Sequence, residues 1–229
     1  MAENNPPAQS SDGTNASLGP ETAPALEFWY EFASTYSYLS AMRIEAVSRD
    51  LGVSIVWRPF LLGPIFKKQG WSTSPFNFYP AKGRYMVRDM ERQCERYGLP
   101  FTLPEPFPQQ SLLAARIACR GRNEAWVGAF TRAVFMAEFG QGLDISDEGL
   151  LAAILLEVGA PAKQVLAEAH APAAKDDLRA AVAEAEERGI FGAPSLLRRT
   201  ASCSGATTGW KLPWKPCRKR CDARKMRVG

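Results

Sequence analysis

The sequence predicts an α/β domain that is interrupted by a large, all-helical insertion. Residues 26–60 show a strand pattern, a helix pattern and a second strand pattern in succession. Residues 61–188 are then largely helical in pattern, and a short strand-like stretch, residues 189–197, resumes the α/β part. The chain has 229 residues, 46% of them hydrophobic, which is enough to fill such a core.

The first of these patterns predicts a parallel βαβ unit. In "LEFWYEF" apolar side chains alternate with Glu27 and Glu31, which favours a strand. Residues 36–50 then place apolar side chains at helical spacing, and Gly52 supplies a C-terminal stop. The stretch "VSIVWRPF" follows as a second strand, and a short strand-helix-strand unit of this kind is parallel.

The middle of the chain predicts a run of helices. Residues 61–80 are rich in Gly, Pro and Ser, and "AKGRYMVRDMERQCERYG" after them is amphipathic. From Gln110 to Arg188 nearly every stretch has a helical pattern. Asp144 or Ser146, and Pro161, are suitable helix starts.

Charge and cysteine usage limit the class of protein. Residues 196–229 hold ten Lys/Arg and one acid, a net of +9, so residues 1–195 carry 4 − 9 = −5. The folded body is therefore not expected to bind nucleic acid. Residues 1–25 lack the basic and apolar runs of a signal or membrane segment and predict a disordered, soluble leader. The five cysteines form no disulfide framework, so we expect a reducing, cytoplasmic location and no membrane partner.

Ser34 lies where the first strand passes into the first helix. The first amide groups of a helix are unpaired and carry about half a positive charge, so this junction suits an anion. A simpler role for Ser34 or Ser37 is that of an ordinary helix N-cap.

The second part of the predicted site is the stretch "GAPS" near residue 193. Thioredoxin-like folds keep a cis-proline close to a strand-helix junction, and cis bonds are nearly confined to X-Pro. A cis Ala193–Pro194 bond would leave the backbone N–H and C=O of Ala193 free to pair with an extended peptide. The expected fold is thus thioredoxin-like, α/β, with the helical insertion.

Two other chemistries fit poorly. A nucleophilic serine hydrolase lacks its G-x-S-x-G motif here, and the only histidine, His170, lies in a helix where a surface position is expected. Neither a metal-ligand cluster nor a glycine-rich phosphate loop occurs, so no metal site is predicted. Cofactor chemistry would have to come from a soluble thiol.

Four ordered stretches resemble a known family. They are "YEFASTYSYLSAMRIEAV", "WRPFLLGPIFKKQGW", "AKGRYMVRDMERQCERYGLPF" and "GIFGAPS". Over about residues 25–195 the chain is similar to the 2-hydroxychromene-2-carboxylate isomerases and kappa-class glutathione transferases of the DsbA-like thioredoxin superfamily. One departure is Ser34-Thr35, where members often have Ser-Pro.

The resemblance implies glutathione as cofactor and a homodimer. Ser34 would hold the glutathione thiolate by a hydrogen bond instead of acting as a nucleophile, and Ala193 and Pro194 would contact glutathione. Lys82 would reach glutathione as well, the alternative being an ordinary exposed lysine at a helix start. Six aromatic residues are candidates for the wall of an aromatic substrate pocket, although half or more are more simply core: Trp57, Phe60, Phe66, Trp71, Phe76 and Tyr85.

The implied reaction interconverts 2-hydroxychromene-2-carboxylate and trans-o-hydroxybenzylidenepyruvate, a step of naphthalene-type aromatic catabolism. A kappa-like glutathione transferase or peroxidase activity at the same site is one alternative. A non-catalytic thioredoxin-fold binding protein is another, because Ser-x-x-Ser cannot perform dithiol exchange.

Residues 198–229 do not suit a thioredoxin fold, since their prolines and basic clusters predict neither strand nor helix. A disordered basic extension is one interpretation. However, permitted codons for "ASCSGATTGWKLPWKP" also encode "ELFWGDDRLEAALEA" in another reading frame, a string that resembles the family's C-terminal block. We therefore expect the chain from about Arg198 onward to be read out of frame, which sequencing of the gene would test.

Overall fold

The computed structural model describes residues 24–199. The predicted leader and the predicted basic tail lie outside these residues except at their edges. Ala25 already belongs to the first strand, and Arg198 and Arg199 belong to the last, so two predicted boundaries need correction. Backbone pairing with the neighbouring strand extends the last strand in spite of its basic side chains.

The described residues contain a three-stranded sheet. Its central strand is β1 (Ala25–Tyr30), flanked by β2 (Ser54–Pro59) in parallel and by β3 (Ser195–Arg199) in antiparallel orientation. The mixed sheet with many helices confirms the predicted thioredoxin-like α/β fold with helical additions.

Nine α-helices lie within residues 24–199. One of them, α1, connects the two parallel strands as the sequence predicts, and the others fall between β2 and β3. They are α1 (Thr35–Leu51), α2 (Leu62–Lys68), α3 (Pro75–Phe78), α4 (Pro80–Tyr97), α5 (Leu112–Arg120), α6 (Val127–Phe135), α7 (Glu148–Glu157), α8 (Ala162–His170) and α9 (Pro172–Glu187). A five-residue π-helical turn, Met136–Gly140, continues α6.

Local residue choices explain where several helices begin and end. Gly52 follows α1 in the left-handed conformation with φ of 64°, which confirms it as the stop for that helix. Pro161 occupies the N-cap position of α8. Asp147, not Asp144 or Ser146, caps α7, because its carboxylate accepts the Gly149 N–H at 2.8 Å.

The central strand is buried on both faces. Phe28 and Tyr30 point into the larger core cluster, whereas Trp29 packs in a smaller cluster on the opposite face. A central strand of this kind has no solvent side, so its acidic residue must be paired inside the protein. Glu27 is only 2% exposed and meets the guanidinium groups of Arg58 and Arg188, each at 2.8 Å.

These ion pairs decide the charge state of Glu27. Burial raises the pKa of this carboxyl, but Arg58 and Arg188 more than offset that, and the net direction is downward. The alternation of Glu27 with apolar residues therefore marks a buried ion pair, not a strand with one wet face.

The larger cluster is dominated by aromatic rings. Phe135, fully buried at the end of α6, lies against Phe32 at a centroid distance of 5.1 Å and against Tyr30 at 6.0 Å. This packing joins β1 and the segment after it to the helical insertion.

No helix in the range 24–199 has both the length and the apolar character needed to cross a membrane.

Truncation of the central aromatic should be costly. We expect Phe135→Ala to lower the free energy of unfolding by about 3–5 kcal/mol, because the ring leaves a cavity among its aromatic neighbours. Urea unfolding followed by circular dichroism measures this change. Leu156→Ala in α7, where the side chain is 68% exposed, is the control and should change it by less than about 0.5 kcal/mol. Similar losses in both variants would contradict the assignment of this cluster as the main core.

Candidate active site

Ser34 occupies the junction between β1 and α1 as the N-cap of the helix. Its backbone is extended, with φ of −106° and ψ of 114°. The Ser34 Oγ accepts the Ser37 N–H at 3.3 Å and donates to the carbonyl oxygen of Ala193 at 3.1 Å. The half-buried hydroxyl therefore acts as a helix cap and also joins the two parts of the predicted site.

The first turn of α1 supplies further polar groups. This helix has 17 residues and no acidic residue in its first turn, so nothing there neutralises the positive end of its dipole. The hydroxyl oxygens of Thr35 and Ser37 are buried and have no hydrogen-bond partner among the described residues. The N-terminal end of α1 is thus electropositive and has spare hydrogen-bonding capacity.

The Ala193–Pro194 bond is cis, as the sequence predicts, and it lies directly before β3. One expectation needs correction, because the carbonyl of Ala193 is not free but accepts the Ser34 hydroxyl. The Ala193 N–H has no acceptor among residues 24–199. Ala193, like Leu61 and Leu62, packs against the smaller core cluster, which places it on the same side of the sheet as the start of α2.

Lys82 is exposed in the first turn of α4 and does not contact Ser34. Its Nζ lies 6.0 Å from the centroid of the Phe76 ring, and that ring is 6.5 Å from the ring of Tyr36. Within the described chain, no hydrogen bond or ion pair joins Lys82 to Ser34 or Ala193. Lys82 is therefore linked to the junction only indirectly, through the rings of Phe76 and Tyr36.

The six aromatic candidates separate into two groups. Trp57 and Phe60 are buried in the core, so they are not available to a ligand. Phe66, Trp71 and Phe76 are half-buried, and Tyr85 is exposed. Two of the six are thus buried in the core, fewer than the half or more that were expected.

A cleft of about 340 Å³ opens between α1 and α4 and reaches Pro194. Tyr36 donates to Asp89 across this cleft at 3.0 Å. Burial, together with the neighbouring Asp89 carboxylate, raises the pKa of Tyr36 to about 12, so the phenol stays protonated. The cleft is lined by Tyr36, Leu39, Ser40, Arg43, Asp89, Gln93, Tyr97 and Pro194.

The buried carboxyl groups of Glu31 and Glu138 were not predicted to be functional. Glu31 precedes Ser34 by three residues, and Glu138 lies in the π-helical turn with no exposed surface. Burial raises the pKa of Glu31 to about 6, although hydrogen bonds from Ser111 and Leu62 oppose this shift. Their signal in the sequence is weak, because Glu31 continues the alternation of β1 and Glu138 lies in an amphipathic helical pattern.

Two cysteines fall within residues 24–199, and neither lies in β1, α1 or the stretch around Ala193. Cys94 lies in α4 and Cys119 in α5, and both are buried and free. Burial raises the pKa of Cys94 to about 11, which makes it a poor nucleophile. His170 is exposed at the end of α8 beside Glu148, in agreement with the surface position expected for it.

The sequence matches the DsbA-like thioredoxin domain over residues 25–207. The chain belongs to the DsbA-like thioredoxin family. A 2-hydroxychromene-2-carboxylate isomerase of Sphingobium xenophagum is 30% identical to this DsbA-like chain over 75% of its length and 87% of the relative's. A kappa 1 glutathione S-transferase of Caenorhabditis elegans is 29% identical over 37% of each chain.

A solved structure supports the same fold. The match to the structure of a 2-hydroxychromene-2-carboxylate isomerase covers 76% of this chain and 84% of that one, with 24% identity and a TM-score of 0.69. The resemblance predicted from the four sequence stretches is confirmed, and similarity to isomerases and a transferase supports an enzyme of the DsbA-like family.

The hydroxyl of Ser34 should contribute to stability as a helix cap. We expect Ser34→Ala to lower the free energy of unfolding by about 0.5–2 kcal/mol, because the Ser37 N–H loses its acceptor and the Ala193 carbonyl its donor. Ser40→Ala, farther along the same helix, is the matched control and should cause no loss. Urea unfolding of both variants checks this, and equal stability of Ser34→Ala and wild type would contradict the capping role.

Proposed function

We propose that this protein is a glutathione-dependent isomerase that interconverts 2-hydroxychromene-2-carboxylate and trans-o-hydroxybenzylidenepyruvate. The observation that carries the proposal is the position of Ser34, whose hydroxyl lies at the N-terminus of α1 and against Ala193 where no cysteine is present. Similarity to 2-hydroxychromene-2-carboxylate isomerases supports the choice of substrate. Because neither cysteine of residues 24–199 lies at this junction, the reacting thiol would come from glutathione.

The polar groups at the junction fit a bound thiolate. A free thiol has a pKa near 8.5, and lowering it by ~2 units requires about 2.7 kcal/mol. A hydrogen bond to a charged group contributes roughly 1.5–3 kcal/mol, and a helix N-terminus contributes about 0.3–2 kcal/mol. Ser34 and the first turn of α1 are therefore sufficient without a basic side chain.

Binding requires Ser34 to change partners. Its hydroxyl has one hydrogen to donate, and Ala193 receives it in this structure. Donation to a thiolate would release the Ala193 carbonyl, which could then accept from a backbone amide of the bound tripeptide. The Ala193 N–H offers a donor at the same place, so Ala193 and Pro194 would hold the peptide in an extended conformation.

Each remaining residue has a limited role in the proposal. When bound, glutathione supplies a nucleophilic sulfur that adds reversibly to the conjugated system of the substrate and leaves again. Lys82 would attract a carboxylate of glutathione or substrate from its exposed position on α4. Phe66, Trp71 and Phe76 are partly accessible and would pack against an aromatic ring.

Glutathione transferase activity of the kappa type is the second candidate. The match to a kappa 1 glutathione S-transferase favours it, although that match covers 37% of the chain. Product analysis separates the two, because isomerisation leaves the glutathione concentration unchanged, whereas conjugation consumes glutathione in proportion to product.

Loss of the Ser34 hydroxyl should reduce turnover more than binding. We expect Ser34→Ala to lower kcat at neutral pH by about tenfold or more, because the thiolate loses a charge-assisted hydrogen bond while the peptide contacts at Ala193 remain. The measurement is the rate of isomerisation at saturating glutathione, with glutathione affinity determined by calorimetry.

Asp50→Ala, an exposed residue at the other end of the same helix, is the control, and S-methylglutathione, which has no free thiol, should bind without supporting turnover. An unchanged kcat in Ser34→Ala would remove the proposed role of this hydroxyl. Equal turnover with S-methylglutathione would exclude thiol chemistry altogether.

Lys82 provides a separate test of anion binding. We expect Lys82→Ala to raise the glutathione dissociation constant several-fold, with a smaller effect at high salt, because an exposed ion pair is screened. Arg84→Ala, another exposed cation in the first part of α4, is the control. Equal affinities of Lys82→Ala and wild type at low salt would leave Lys82 as an ordinary surface residue.

A further inference from the structure

The carboxylate of Glu31 connects the serine junction to two other segments. It accepts a hydrogen bond from the Ser111 hydroxyl at 2.6 Å and another from the N–H of Leu62. The backbone carbonyl of Glu31 also accepts the Ser34 N–H at 3.2 Å. One buried residue therefore joins the chain before Ser34 to the start of α2 and to the residue preceding α5.

These contacts continue to the other half of the site. Leu62 is the first residue of α2, and both Leu62 and Ala193 pack against the smaller core cluster. Ala193 in turn accepts the hydroxyl of Ser34. A change at Glu31 therefore acts on Ser34 through the backbone bond, and on Ala193 through α2 and the cluster against which Leu62 and Ala193 both pack.

Glu138 is the second member of a buried pair of carboxyl groups. It has no exposed surface, and neither of its carboxylate oxygens has a hydrogen-bond partner within residues 24–199. Its pKa is raised well above the usual range by burial and, second, by the charge of Glu31. Over the same residues, no lysine, arginine or histidine forms an ion pair with Glu31 or Glu138.

Two buried carboxylates without a cation cannot both be ionised at low cost. The partners decide which one keeps the proton. Two donors point at Glu31, which suits an ionised acceptor, whereas Glu138 has no donor and is stable only as the neutral acid. Each carboxyl group thus has a defined state at neutral pH.

We propose that Glu31 is a positioning residue for Ser34 and Ala193, and that Glu138 retains the proton which allows Glu31 to remain ionised. Protonation of Glu31 removes the negative charge from both hydrogen bonds and forces the Ser111 hydroxyl to change from donor to acceptor, so the contacts to Ser111 and Leu62 weaken. The junction and α2 then hold Ala193 less firmly. The binding consequence of this proposal rests on glutathione being the ligand of the site.

The carboxyl pair can be tested without any ligand through the dependence of stability on pH. Glu31 has a pKa near 6 in the folded protein against an ordinary 4.5, so its contribution to stability is present below pH 4.5 and is lost as pH rises through 6. We expect wild type to show this loss in urea unfolding and Glu31→Gln to lack it. Glu138→Gln should still lose stability near pH 6. It should lack the further loss of stability that ionisation of Glu138 causes in wild type at higher pH.

A milder variant covers the case in which Glu31→Gln does not fold. Ser111 has no capping bond of its own at the start of α5, so Ser111→Ala removes only a donor to Glu31. The midpoint of the stability change should then move to higher pH, because the ionised form of Glu31 loses one hydrogen bond. An unmoved midpoint in Ser111→Ala, or coincident profiles of wild type and Glu31→Gln, would overturn the assignment.

The positioning role is tested by calorimetric titration with S-methylglutathione between pH 5 and pH 8, because its sulfur does not titrate and the thiol therefore adds no pH dependence of its own. The affinity of wild type should fall as pH drops through about 6. Glu31→Gln should bind about tenfold more weakly at neutral pH, and its affinity should not fall further at acid pH. Glu148→Gln, an exposed acid in α7, is the control and should follow wild type. If Glu31→Gln binds as tightly as wild type and loses affinity at acid pH in the same way, the positioning role is overturned.

The two proposals fail in different ways. Absence of glutathione binding to wild type at any pH would remove the proposed function, while the stability profiles of Glu31→Gln, Glu138→Gln and Ser111→Ala would still decide the existence of the carboxyl pair. Binding by wild type with unchanged stability profiles in all three variants would keep the function and remove the pair.

Discussion

The hydrogen bond from the Ser34 hydroxyl to the Ala193 carbonyl is the contact on which the candidate site depends, and it joins residues 159 positions apart in the sequence. Between these two positions the chain forms all nine α-helices of the described region, so the whole helical insertion must fold correctly before this bond can form. The sheet makes the meeting possible, because β1 and β3 are neighbours and Ser195 pairs with Trp29. Ala193 also packs against the smaller core cluster, as Leu61 and Leu62 do, so the bond to Ser34 forms only when both halves of the site are in place.

Burial of β1 on both faces explains why so many polar groups of this site are internal. A strand between a large and a small core cluster cannot direct its acidic side chains to solvent. Glu27 is compensated by Arg58 and Arg188, which reach it from β2 and from the residue after α9. Glu31, beyond the end of the strand, receives neutral donors instead of a cation. The pKa shifts follow this difference, downward for Glu27 and upward for Glu31.

Features that depend on local sequence could be predicted, whereas features that depend on tertiary packing could not. The alternation in β1, the helical spacing in α1 and the glycine stop at residue 52 act over a few residues, so the βαβ unit and the position of Ser34 were accessible from the sequence. The bond between Ser34 and Ala193 and the burial of Glu31 depend on segments 159 and 80 residues away. Side-chain type gave no signal for them, since a glutamate in an alternating pattern ordinarily predicts exposure.

A serine is well suited to a site that binds a thiol from outside the chain. A cysteine at residue 34 would place a second sulfur at the junction, and two thiols in contact favour disulfide exchange over simple binding of one thiolate. A hydroxyl does not undergo exchange, yet it accepts the Ser37 N–H and donates a hydrogen at the same time. Because Ala193 accepts that hydrogen in the structure, the hydroxyl is already oriented toward the place where a peptide backbone would lie. Under the proposed function, thiolate binding would exchange one hydrogen bond of Ser34 for another, so little orientational entropy would be lost in that step.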